Sequence, residues 1–168
     1  MIEPLVVTEG KFDFFTYSYL KKHFFPKYKK INFYPGGGAG SSSDVISLYI
    51  AWSKSFVVLL DSDKAGKAAL KKYNERFGVK FMSNKLVIYS DVVASWDKKE
   101  TEHLFNDSDL LKIQQELYPT DTIFNKSHFN ESIQKLLIDK KAIKLGKTTL
   151  ANFEKVFIEI NTKLKNQK

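Results

Sequence analysis

Along the first 90 positions, short unbroken apolar runs alternate with amphipathic stretches. The runs are Leu5-Val6-Val7-Thr8, Ile31-Asn32-Phe33-Tyr34, Phe56-Val57-Val58-Leu59-Leu60 and Lys85-Leu86-Val87-Ile88-Tyr89. Bounded Val, Ile and Leu stretches of this kind read as strands, and the Phe56 run, which has no polar break, as one buried on both faces. Between the first two runs, Phe14, Tyr17 and Leu20 recur at helical spacing from Asp13 to about His23, and Pro26 ends that element. Val45, Ile46, Tyr49 and Ile50 mark a second helix, capped by Ser43 or Asp44 and ending near Ser53. A third runs over 66–77, with Gly78 as its C-cap. Strands alternating with helical stretches of about 10–15 residues predict βαβ units, hence an α/β fold with a Rossmann-like parallel sheet flanked by helices.

After Trp96 the strand pattern stops. A short helical turn is expected at 100–105, and helices at 109–117, 132–139 and 148–164. In the last of these Leu150, Phe153, Phe157, Ile160 and Leu164 form an apolar stripe suited to core packing. The expected organisation is a core over 1–105 and a helical, basic extension over 106–168, packed on or beside it.

Composition narrows the chemistry. The 168 residues are 43% hydrophobic, enough to close one core, and include no cysteine. Disulfides, zinc–thiolate sites and cysteine nucleophiles are therefore excluded, and an intracellular, cytoplasmic setting is expected. No apolar run reaches the length of about 18 residues that a membrane span needs, and Met1-Ile2-Glu3-Pro4 lacks the basic start and apolar stretch of a signal peptide. Net charge is +8; residues 140–168 carry eight lysines against two glutamates, so +6 lies there. A basic end suits a polyanion such as nucleic acid. With Arg76 the single arginine, a general lysine bias explains the charge equally well.

The Phe56–Leu60 run stops at Asp61-Ser62-Asp63, followed by Gly66. Residues i and i+2 of a strand point to one side, which aims both carboxylates at one point beyond the strand end. The first strand ends at Glu9, with Asp13 four residues on. In open parallel sheets, functional groups gather beyond the carboxyl ends of the strands. If these two strands are neighbours, the carboxylates converge and repel one another unless a cation lies between them. Oxygen donors without Cys or His suit Mg²⁺ or Mn²⁺. Asp-x-Asp before glycine is also a common helix-cap sequence.

Other motifs fail in detail. A calcium loop from Asp61 would carry Ala65 at its fifth position and Lys72 at its twelfth. Gly146-Lys147-Thr148 lacks the upstream glycine of a P-loop, where Lys141 stands. Ser41 replaces the last glycine of a dinucleotide fingerprint. The three histidines, His23, His103 and His128, are scattered, and no serine sits in a nucleophile elbow.

Val6-Val7-Thr8-Glu9-Gly10-Lys11-Phe12-Asp13, a glycine-containing segment, and then Val58-Leu59-Leu60-Asp61-Ser62-Asp63-Lys64-Ala65-Gly66 together resemble a Toprim domain over about 4–105. That domain is shared by topoisomerases, bacterial primases, recombination mediators and the overcoming-lysogenization-defect family of nucleases. The last branch is the most similar. Glu9-x-x-x-Asp13 supplies an extra acid, Gly36-Gly37-Gly38-Ala39-Gly40 sits where such proteins often carry a glycine-rich loop, and Thr101-Glu102-His103-Leu104-Phe105 is similar to an acidic segment. His103 stands where an acid is frequent.

The resemblance implies a metal-dependent DNA nuclease. Glu9, Asp13, Asp61, Asp63 and Glu102 would hold one or two Mg²⁺ or Mn²⁺ ions. Catalysis would fall to Glu9, Asp61 and Asp63, with Lys147 assisting at the phosphate. Gly10, Gly37 and Gly38 would allow close backbone approach, and Lys11, Lys64, Lys144 and Lys147 would hold DNA. Relatives join this domain to an ABC-type ATPase, so such a domain or partner chain is expected beside this one, and no membrane. A non-catalytic Toprim module that binds metal and nucleic acid and recruits a partner is the alternative. Strand transfer and primer synthesis need residues or modules that this chain lacks.

Overall fold

The computed structural model describes residues 3–37 and 42–167. Gly38, Ala39 and Gly40 of the glycine-rich stretch lie outside the described residues.

Four strands, β1 (Leu5–Thr8), β2 (Asn32–Tyr34), β3 (Phe56–Leu60) and β4 (Leu86–Ile88), form one sheet in the order β2-β1-β3-β4, with every neighbouring pair parallel. The helices are α1 (Lys11–His23), α2 (Ser42–Ala51), α3 (Lys64–Phe77), α4 (Val79–Met82), α5 (Tyr89–Val92), α6 (Asp107–Gln115), α7 (Lys126–Ile138) and α8 (Lys147–Lys165), with 3-10 turns at Pro26–Tyr28, Ala94–Trp96 and Thr101–Leu104. The expected α/β class, a parallel sheet flanked by helices, is the observed one.

The two-residue period of the strands divides the core. Val6, Val57, Leu59 and Val87 face one layer, with Tyr17 and Leu20 of α1 and Phe153, Val156, Phe157 and Ile160 of α8. Leu5, Val7, Phe56, Val58, Leu60, Leu86 and Ile88 face the other, with Ile46 of α2, Tyr73 of α3 and Met82 of α4. Every residue of β1, β3 and β4 is buried, which explains why these strands read as unbroken apolar runs. The apolar stripe of α8 thus lies in the same core as the sheet. Phe157 packs against Phe25, Tyr28, Phe33 and Tyr17, with ring centroids 4.8–6.0 Å apart. At the far end of α8, the Gln167 amide donates to Phe56 O and accepts from Phe56 N, at 2.8 and 3.2 Å.

Capping explains the boundaries that differ from expectation. α7 starts at Lys126 rather than 132, because the Asn125 side chain accepts from the Ser127 and His128 N–H groups. Tyr89 leaves the fourth strand and opens α5. Gly78, at φ 92°, ends α3 as expected. The start of α8 is set by buried Asp109, which accepts from Gly146 N at 2.8 Å and Thr149 Oγ1 at 2.6 Å.

Candidate functional site

β1 and β3 are neighbours, so Glu9 and Asp61 emerge side by side at the carboxyl edge of the sheet. The Asp61 N–H donates to Glu9 Oε2 at 3.0 Å. Gly66 makes this possible: a Cβ there would lie 2.0 Å from Asp61 O and 3.1 Å from Glu9 Oε2. Gly36 plays the same part on the other side of β1, where a Cβ would come within 2.0 Å of Thr8 O and 2.6 Å of Glu9 O. The glycine-rich segment was expected to let backbone approach substrate or metal; Gly36, which is buried, packs instead against β1, and Gly37 is exposed. At Gly10 a Cβ would meet only the end of the Asp13 side chain, at 3.3 Å.

Asp13 sits in the first turn of α1, and its Oδ2 accepts from Gly10 N at 2.9 Å. Asp61 lines the cleft described below, whereas Asp63 does not. β3 ends at Leu60 and the chain bends, so the alternation that would align them is lost. Asp63 is the N-cap of α3, its Oδ1 accepting from Gly66 N at 2.7 Å. It remains near enough to Glu9 for its charge to act on that carboxyl.

Ser62, the residue between the two aspartates, is fully buried and acts as a staple. Its N–H donates to Lys99 O at 2.8 Å, its carbonyl accepts from Lys98 N at 3.1 Å, and its Oγ accepts from Ser90 N at 2.7 Å. These bonds draw segment 97–100 against the end of β3, which delivers Thr101 and Glu102 to the site. Thr101 Oγ1 donates to Asp61 Oδ1 at 3.4 Å. Lys126, first residue of α7, pairs with Glu102 at 2.5 Å and with Glu100. Gly10, Asp13, Asp61, Thr101, Glu102 and Lys126, with Phe12 and Phe129, line a cleft of about 130 Å³.

Electrostatics mark this cleft as short of positive charge. Burial, and then the charges of Asp13, Glu9, Glu102 and Glu100, push the Asp61 carboxyl up to about 9. Burial also raises Glu9, against the N–H of Asp61, with the Asp63 and Asp13 charges adding to it. Burial raises Asp13, against hydrogen bonds from Thr101 and Gly10. Glu100 moves the other way, held low by Lys126. Burial alone would lower Lys126, but its bonds to Glu100 and Glu102 outweigh this and raise it.

Among the described residues no three acidic or histidine side chains close into a metal-ligand cluster. Like charges spread apart, and Glu102 is paired with Lys126. The donor set nevertheless fits a hard divalent cation: carboxylate oxygens only, with the ionised form of Asp61 met, among the described residues, by one long hydrogen bond.

The remaining predicted residues fall at two places. Lys11 and Lys64 are the exposed first residues of α1 and α3, both at the carboxyl rim. Lys144 and Lys147 are exposed near the start of α8. Lys147 lines a separate groove with Phe24, Phe25, Pro26 and Lys27, which shares no residue with the carboxylate cleft. The cleft's own lysine is Lys126, which sequence reasoning missed along with Ser62 and Thr101; the Asn125 cap signal was the available clue to α7. No family model, curated protein or solved structure shows a significant match to this chain.

Proposed function

We propose that this chain is a divalent-metal-dependent nuclease that hydrolyses DNA phosphodiesters, with its reaction centre in the cleft at the ends of β1 and β3. The observation that carries this reading is the half-buried Asp61 carboxylate, which gathers with Glu9 and Asp13 and, among the described residues, accepts only the long Thr101 hydrogen bond. Glu9, Asp13 and Asp61 would hold Mg²⁺ or Mn²⁺, with Glu102 joining once released from Lys126 and Asp63 steadying α3 beside Glu9. A divalent ion bound there supplies Lewis-acid polarisation of a phosphoryl oxygen and makes a water acidic enough to attack near neutral pH. Lys126 lines the same cleft and would neutralise charge on the phosphate, the part that the Toprim resemblance gives to Lys147. Lys11 and Lys64, on the rim, would contact backbone phosphates, giving affinity with little sequence preference.

Mn²⁺-dependent nicking of supercoiled plasmid tests this. Wild type is expected to nick, and Asp61→Ala to lose activity by at least about a hundredfold while keeping its fold. Equal nicking by both would remove the proposal. One observation favours a second reading. The ion pairs of Lys126 with Glu100 and Glu102 already neutralise part of the cleft, as they would in a non-catalytic module that binds nucleic acid and recruits a partner, such as an ATPase. DNA binding without cleavage in either metal selects that reading.

A further inference from the structure

Beneath the cleft, three hydroxyls run from the core to Asp61. Tyr17 Oη lies 2.8 Å from Tyr89 Oη, and Tyr89 Oη lies 2.7 Å from Thr101 Oγ1. Thr101 Oγ1 in turn donates to Asp61 Oδ1. Tyr17, Tyr89 and Thr101 are 0%, 1% and 3% exposed. With Asp61 ionised, as it would be beside a cation, proton counting sets the direction of the chain: threonine has one O–H, which Asp61 takes, so the Tyr89 O–H donates to Thr101 and the Tyr17 O–H to Tyr89. All three dipoles then end on Asp61.

The chain also ties the helix of Asp13 and the turn of Glu102 to Asp61, by way of the start of α5. Tyr17 is on α1, one turn after Asp13; Tyr89 opens α5 directly after β4; Thr101 stands beside Glu102. A buried hydroxyl contributes nothing that phenylalanine or valine could not supply by packing, and it costs free energy unless paired. Here the pairing terminates on a carboxylate at the sheet edge. The same Thr101 hydroxyl interacts with the Asp13 carboxylate. Its single proton serves one of the two acids at a time; Asp13 also accepts from Gly10 N.

We infer that Thr101, backed by Tyr89 and Tyr17, is a positioning residue that holds the Asp61 carboxylate toward Asp13 so that both face one divalent cation. This rests on the metal-centre reading above. Groups that orient metal ligands typically change affinity by about 10–100-fold when removed.

Mn²⁺ titration of the full chain, followed by the electron paramagnetic resonance of the free ion, tests the inference without any assay of cleavage. Thr101→Val, nearly isosteric, is expected to weaken Mn²⁺ binding by about tenfold or more, and Thr101→Ser to stay within about threefold of wild type. Tyr89→Phe keeps the ring, removes the donor to Thr101, and is expected to weaken binding by about threefold or more. Equal affinity in wild type and Thr101→Val overturns the inference alone, as does a serine variant as weak as the valine one, since packing would then explain both. If Thr101→Val does not fold, unchanged affinity in Tyr89→Phe overturns it. Absence of Mn²⁺ binding by wild type overturns the metal-centre reading and this inference with it.

Discussion

Asp61 concentrates the cost of this site in one side chain. Its folded carboxyl titrates near 9 against an ordinary 3.8, because burial and neighbouring acids oppose its charge. Between those values the unfolded chain is ionised and the folded one still holds its proton. Stability from this group is therefore full below about 3.8 and is lost as pH rises towards 9. Asp61→Asn should accordingly stabilise the metal-free protein at pH 8 by on the order of 2 kcal/mol, a rise of roughly 4–8 °C in Tm for a chain of this size. The same variant should lose the Tm gain that Mn²⁺ gives wild type. A lower Tm for the variant without metal would mean that the carboxylate is already well paired. Lys126 gives the complementary prediction. Lys126→Met releases Glu100 and Glu102, so Mn²⁺ affinity should rise a few-fold while plasmid nicking falls. Parallel changes in affinity and nicking would show that the lysine acts only through the metal.

At the level of elements, the joint between β3 and α3 decides whether the acids meet. Gly66 lies against the backbone of Asp61, where a methyl group would come within 2.0 Å of a carbonyl oxygen. Gly66→Ala must push α3 off the strand end, and should cost about 2–4 kcal/mol and displace Glu9; a urea midpoint within error of wild type would contradict this. The strands were legible because burial on both faces leaves an unbroken apolar signature, and Gly78 because a helix stop needs its positive φ. The pairing of β1 with β3, and hence the meeting of Glu9 with Asp61, was readable only as a condition, since strand order is not written locally. Asp63 was misaligned by carrying the strand period past Leu60 into a bend. Thr101, Ser62 and Lys126 were not legible as site residues. Their roles come from tertiary bonds, those of Ser62 to Lys98, Lys99 and Ser90 and of Lys126 to Glu100, which no periodicity records.

Across the whole molecule, α1 and α8 cover one face of the sheet and α2 to α4 the other, leaving the carboxyl rim as the place where helix starts, acids and lysines coincide. No described helix is long and apolar enough to cross a membrane. Of the lysines expected to hold DNA, Lys11 and Lys64 stand at the rim and Lys144 and Lys147 near the start of α8. If DNA lies over the cleft, Lys11→Gln with Lys64→Gln should reduce the slope of log affinity against log salt by about 2. The pair Lys144→Gln and Lys147→Gln should then leave nicking within about threefold of wild type, since these lysines lie outside the cleft. The reverse ranking would move the nucleic acid to the groove beside Phe24 and Lys147. Whether the acids at the ends of β1 and β3 form a divalent-cation site is decided by anomalous diffraction from a crystal soaked in Mn²⁺. A peak in contact with the carboxylates of Asp61 and Glu9, lost in Asp61→Asn, is expected; a well-diffracting soaked crystal with no peak there, or one unchanged in that variant, would rule the site out.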